Sequence, residues 1–105
     1  MKGEPERALS DVHHALALNS DFAEAWALRG VVWFDKQNYS PAIADFDQAL
    51  KLNPRLADAY CDRGITWLAQ IKPDEAEADF ARCGALGGKP AREAKQKRRS
   101  SSTMR

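Results

Sequence analysis

Along residues 23–56 the apolar and small side chains fall at helical intervals. Trp26, Gly30 and Trp33 stand at i, i+4 and i+7, and after a polar break at Gln37-Asn38-Tyr39-Ser40 so do Ala42, Phe46 and Ala49. A 3.6-residue period sustained on both sides of a break predicts two helices joined by a short turn. Ser40 followed by Pro41 suits an N-cap with proline in the first helical turn, and Pro73-Asp74-Glu75 and Pro5-Glu6 occupy the same place elsewhere in the chain. Asn53-Pro54 closes the second helix, because proline disfavours helical geometry in the residue before it.

The pattern repeats. Laying residues 23–56 on 57–90 without gaps pairs Ala25 with Ala59, Arg29 with Arg63, Gly30 with Gly64, Trp33 with Trp67, Ala42 with Ala76, Asp45 with Asp79 and Phe46 with Phe80. Residues 1–22 continue the register against 35–56, through Ala8/Ala42, Asp11/Asp45, Ala15/Ala49, Leu16/Leu50 and Asn19/Asn53. A 34-residue self-similarity is the signature of a stacked repeat architecture. The expected organisation is an incomplete unit at 1–22 holding only a second helix, complete units at 23–56 and 57–88, and a tail at 89–105. In each complete unit Gly30 or Gly64 permits close helix approach, while Trp26, Trp33, Tyr60, Trp67, Phe46 and Phe80 fill the space beside it. Trp33→Ala and Trp67→Ala are expected among the most damaging changes.

The residues that carry the repeat are specific enough to resemble a known family. Trp26-x2-Arg29-Gly30-x2-Trp33 with Ala42-x3-Phe46, Ala49 and Pro54, followed by Tyr60-x2-Arg63-Gly64-x2-Trp67 with Ala76-x3-Phe80, is similar to the tetratricopeptide repeat. Arg29 and Arg63 depart from that pattern, which has leucine there, and Val12 stands where an aromatic is usual. The resemblance implies an all-α fold: antiparallel helix hairpins stacked as a right-handed superhelix, an α-solenoid of about five helices. It also implies a concave face, lined by the first helix of each unit, that grips a peptide or partner helix. The expected groove residues are Glu24, Ala27, Val31, Phe34, Asp35, Asp58, Cys61, Asp62, Ile65 and Leu68: an apolar strip with an acidic rim, suited to a segment with apolar anchors and Lys or Arg flanks. Val31 and Ile65 have a second reading, as packing between neighbouring helices. Some relatives hold acidic chaperone tails through groove Lys, Asn and Arg residues, and this sequence has no such cationic set across that surface.

Each arginine follows an aspartate by 18 residues, Asp11 to Arg29 and Asp45 to Arg63. Recurrence with the structural period predicts ion pairs between the second helix of one unit and the first helix of the next, with Asp79 and Lys97 as a weaker third pair. The incomplete first unit adds another surface: its helix lacks one packing partner, so Leu9, Val12 and Leu16 are candidates for self-association, or for contact with a further part of a longer array.

Composition and charge narrow the function. The chain has 105 residues, enough for one small domain, and its net charge of +1 conceals an acidic body and a basic tail, residues 89–105 holding 7 Lys and Arg against 1 acid. Lys95-Gln96-Lys97-Arg98-Arg99 could attract phosphate backbones, but no aromatic interleaves with it, so nucleic-acid binding is not expected and a solubilising or self-contacting tail is. Cys61 and Cys83 lack further ligands at metal spacing and are read as packing residues; His13 and His14, adjacent, project about 100° apart on a helix and read as a solvated pair. No metal, cofactor or catalytic constellation is expected, and no stretch is apolar enough to span a membrane. The N-terminus lacks the apolar run of a secretory signal, so a reducing cytoplasmic setting is the expectation. The sequence reading is therefore a non-catalytic scaffold for a protein or peptide, with homo-oligomerisation as the alternative.

Overall fold

The computed structural model describes residues 4–89, and the expected contact of Lys97 lies outside them. Five helices follow one another: α1 (Glu4–Leu18), α2 (Ala23–Asp35), α3 (Tyr39–Leu52), α4 (Ala57–Ala69) and α5 (Pro73–Ala85), with no strand among the described residues. Helices α2 and α3 pack as one antiparallel hairpin and α4 and α5 as another. Helix α1 packs on α2 as α3 packs on α4, and α2 also touches α4, so the helices stack in succession.

The turns inside the hairpins share one geometry. After α2 the Gln37 N–H donates to Phe34 O and the Asn38 N–H to Trp33 O; after α4 the Ile71 N–H donates to Leu68 O and the Lys72 N–H to Trp67 O. These crossed bonds satisfy carbonyls left without partners at a helix end, and they require a left-handed residue at the turn. Gln37 and Ile71 fill that position at φ 65° and 60°, although neither is glycine. The same device ends α5, where Gly87 has φ 76°. Helix α3 starts at Tyr39, with Asn38 as a cap that makes no side-chain bond, so Ser40 does not cap it. The crossed turn bonds fix the chain early enough for the helix to begin before Ser40-Pro41.

The connections between units also repeat. Asn19 Oδ1 accepts the Asp21 N–H at 3.0 Å and Asn53 Oδ1 the Arg55 N–H at 3.1 Å, while Trp26 Nε1 and Tyr60 OH donate to Ser20 O and Pro54 O. The asparagine turn and the aromatic anchor are common to both, and proline is present only in the second.

The deepest core lies between the hairpins, around Ala42, Phe46, Leu50, Ala59, Tyr60, Cys61 and Cys83, with Phe46, Ala49 and Cys83 wholly buried. Trp26, Trp33 and Trp67 are half-buried, so the tryptophans flank this core and Phe46 occupies it. Gly30 explains how. A Cβ added there would lie 2.7 Å from the Phe46 ring, and one at Gly64 would lie 2.8 Å from Phe80. The aromatic of the second helix thus rests directly on the backbone of the first.

Two sequence expectations change here. Cys61 and Cys83 form a disulfide between α4 and α5, with Cα atoms 5.3 Å apart, in place of two reduced packing residues. They are brought together because Cys83 takes the buried position that Ala49 holds one unit earlier and faces the first helix of its own hairpin. The ion pairs change too: Arg29 binds Asp45 through Nε and Nη2 at 2.7 and 2.9 Å, and Arg63 binds Asp79 at 2.8 Å through both nitrogens. Neither Asp11–Arg29 nor Asp45–Arg63 forms. Residues 29 and 45 are equidistant from the left-handed Gln37, as 63 and 79 are from Ile71, so the pairs close each hairpin from within. Contact between units comes from the residue two further on. Asp47 accepts Arg63 Nη1 at 2.8 Å, and its equivalent His13 meets Arg29 Nη1 at 3.0 Å.

Candidate partner-binding groove

Helices α2 and α4 run side by side with a shallow cleft between their N-terminal halves, enclosing about 540 Å³ of open space. Helix α2 contributes Glu24, Ala27, Leu28 and Val31; Leu56 leads into α4, which adds Asp58, Ala59 and Asp62. The i, i+3, i+4, i+7 spacing from Glu24 to Val31 sets these four on one helical face. A narrower crevice continues the strip, formed by Val31, Phe34, Phe46, Asp62 and Ile65.

The expected groove residues divide accordingly. Glu24, Ala27, Val31, Asp58 and Asp62 come together in the cleft, and Phe34 and Ile65 join Val31 and Asp62 in the crevice. Asp35 and Leu68 line neither. Ile65 is 8% exposed, in keeping with its reading as packing between helices, while Val31 is half-buried. Phe34 is held against Tyr39, ring centroids 5.5 Å apart. Cys61 is buried and bonded to Cys83, so it is not a groove contact. Leu56 and Ala59 line the cleft without having been expected there, and Leu28 joins them. Leu28, 52% exposed, shares the Glu24–Val31 face that the sequence already displays.

The electrostatics of the cleft are one-sided. Glu24, Asp58 and Asp62 line it and no Lys or Arg does. The arginines of the same helices face the hairpin interiors, where hydrogen bonds and charge from Asp45 hold the Arg29 guanidinium above its ordinary pKa against the opposing effect of burial. Asp79 and then Asp47 do the same for Arg63. Both cations are thereby committed to the scaffold. Asp58 has a structural duty as well, since its Oδ1 accepts the Lys89 N–H at 2.7 Å and ties the end of the second hairpin to the start of α4.

The candidates for self-association, Leu9, Val12 and Leu16, lie on α1. Leu9, Val12 and Leu16 are buried, and Val12 and Leu16 pack with Ala25 and Trp26 of α2. Stacking on α2 covers the Val12 and Leu16 part of the α1 stripe within the chain.

Helix hairpins of this length, stacked with an open face along their first helices, define a helical-repeat scaffold. Residues 23–56 match the tetratricopeptide repeat family profile, and the chain has the tetratricopeptide fold. It superposes on the second tetratricopeptide domain of Spaghetti (RPAP3), a structure with bound HSP90 peptide SRMEEVD, at TM-score 0.77 and 28% identity over 81% of this chain and 79% of that one. MamA shares the fold at TM-score 0.75 and 24% identity over 82% of this chain, which spans 50% of the MamA chain. No curated protein matches at the sequence level. None of the described helices is long and apolar enough to cross a membrane.

Proposed function

We propose that the chain is a non-catalytic protein-interaction scaffold that holds a peptide or helix in the cleft between α2 and α4. Its organisation would be a half unit at 1–22, units at 23–56 and 57–88, and a basic tail. The observation that carries the reading is the lining of the cleft: apolar Ala27, Leu28, Val31, Leu56 and Ala59 beside Glu24, Asp58 and Asp62. An apolar strip supplies affinity, and a single sign of charge selects the complementary one. The favoured ligand therefore has apolar anchors flanked by Lys or Arg.

Similarity to a domain bound to SRMEEVD supports peptide binding as the mode of action. It does not carry that peptide over, because two successive glutamates would face the carboxylates of this cleft.

A peptide array varying the charge flanking an apolar core tests the reading directly. Basic flanks should bind more tightly than acidic ones, Asp58→Lys should invert the preference, and Val31→Glu should weaken every apolar-cored peptide. Preference for acidic flanks in the wild-type chain would refute the proposed ligand class. The compartment enters through Cys61 and Cys83: residence in a reducing cytoplasm predicts two thiols, residence in an oxidising space predicts the bridge. The thiol content of protein taken from its source cell distinguishes them.

A further inference from the structure

The end of the second hairpin is delivered to the mouth of the cleft. Helix α5 closes on the left-handed Gly87, and the Gly88 N–H donates to Cys83 O at 2.9 Å. Gly88 then lies against the first turn of α4: a Cβ there would stand 2.6 Å from Ala57 Cβ and 2.9 Å from Asp58 Oδ1. The next N–H, that of Lys89, donates to the same Asp58 oxygen. Asp58 is also a lining residue of the cleft. A side chain at position 88 would hold the backbone off α4, so glycine lets the chain pass the rim of the cleft in contact with it. These contacts set the point from which residues 90–105 depart.

What departs there complements what it leaves. Residues 90–105 hold Arg92, Lys95, Lys97, Arg98, Arg99 and Arg105 against one acid, Glu93. The cleft is lined by the exposed Glu24 and Asp58 and by the buried Asp62, and by no Lys or Arg among the described residues. One backbone N–H takes up only part of the accepting capacity of the Asp58 carboxylate. Reach is not limiting: Lys95 lies six residues past Lys89, up to about 20 Å of extended chain, while Glu24 to Val31 cover about 10 Å of helix axis.

The segment lacks the features with which α2 and α4 stack on the helices before them. In the 34-residue register Glu93 falls where Ala25 and Ala59 are buried, and Ala94 where Trp26 and Tyr60 bond to the turn. Its apolar content is thin, so it answers the charge of the cleft and not the strip of Ala27, Leu28, Val31 and Leu56.

We infer that residues 90–105 fold back across the cleft as an intramolecular occupant, Lys95, Lys97, Arg98 and Arg99 pairing with its acidic rim, and that a partner must displace them. The inference rests on the reading of the cleft as the partner site. Tethering makes a weak contact sufficient. At an effective concentration of order 1 mM, a segment with an intrinsic Kd of about 0.3 mM fills the cleft roughly three-quarters of the time and weakens a competitor about fourfold. A partner with basic flanks alone gains nothing over the tail, and one with apolar anchors as well displaces it.

The test introduces Lys95→Gln, Lys97→Gln, Arg98→Gln and Arg99→Gln together in the full chain and follows methyl resonances by NMR. Those of Leu28, Val31 and Leu56 should shift, and sodium chloride at about 0.5 M should move the wild-type resonances the same way by screening the pairs. Leu9 and Leu16 on α1 should not respond, which also shows the fold intact. A labelled synthetic peptide with leucine anchors between arginine flanks should bind the substituted chain about fourfold more tightly than wild type in fluorescence anisotropy. Three results overturn the inference: no shift at the cleft, a shift confined to the alanine methyls of α5, which puts the segment on the acidic first turn of that helix, or equal, measurable peptide affinity for the two chains. A cleft response with no peptide binding to either chain refutes the cleft as a partner site and leaves the tail as its occupant, so the two readings fail separately.

Discussion

Replacing Gly30 with alanine adds one methyl group where the backbone of α2 meets Phe46. The new carbon would lie 2.7, 2.9 and 2.9 Å from three ring atoms, where carbon atoms in contact stand about 3.5–4.0 Å apart, so the ring must retreat by roughly 1 Å. Phe46 has little room to do so, since only a narrow crevice shared with Val31, Phe34, Asp62 and Ile65 adjoins it. It is wholly buried in a cluster with Ala42, Leu50 and Tyr60. Overpacking of this kind costs about 1–3 kcal/mol, against which alanine gains about 1 kcal/mol over glycine in a helix interior. The expected net loss is about 1 kcal/mol for Gly30→Ala by these two terms. Gly64→Ala serves as the internal comparison, because its contacts with Phe80 are 2.8, 3.0 and 3.1 Å and Phe80 is half-buried, free to swing outward. Its two terms should nearly cancel. Urea denaturation followed by helical circular dichroism measures both, in the wild-type chain and in a Phe46→Leu background. In that background Gly30→Ala should turn stabilising, since the ring that opposes it is gone. If Gly30→Ala stabilises the wild-type chain as much as it does Phe46→Leu, close approach does not limit this position and the packing argument fails.

Three further outcomes follow from the hairpin geometry. A double-mutant cycle of Arg29→Gln with Asp45→Asn should show a coupling of about 1–3 kcal/mol, as for hydrogen bonds between charged groups, while Asp45→Asn with Arg63→Gln should be additive; coupling in the second cycle alone would restore the pairing first expected from sequence. Reducing the Cys61–Cys83 bridge should lower stability by about 3 kcal/mol in denaturant unfolding, and thiol titration of the unreduced chain should find neither cysteine free; two titratable thiols in the folded, unreduced protein would contradict the bridge. Ile71→Gly should raise stability, because a left-handed residue costs about 1–2 kcal/mol unless it is glycine and the added chain entropy of glycine returns only about 0.5–1 kcal/mol of that; thermal unfolding at a lower temperature than wild type would show that Ile71, 85% exposed, contributes packing not apparent from its position.

The chain alone determined the number of helices and their hairpin pairing, and put Glu24, Ala27 and Val31 on one face of α2, because these depend on local periodicity and on a 34-residue register. It also disclosed that Arg29, Arg63, Asp45 and Asp79 recur together. Which aspartate meets which arginine was not legible: spacings of 16 and 18 both bring the residues across a turn, and only the packing of α3 on α2 turns Asp45 inward and leaves Asp47 and His13 to bridge units. The same limit governs the cysteines. Twenty-two residues of separation are compatible with two buried thiols or one bridge, and the choice rests on how closely α5 seats on α4. For Leu9, Val12 and Leu16 the apolar stripe was visible but its cover was not, since burial belongs to a pair of surfaces and a sequence displays one at a time. Periodicity belongs to the chain and is readable along it; partnership is set by distances between helices, which only the tertiary structure decides.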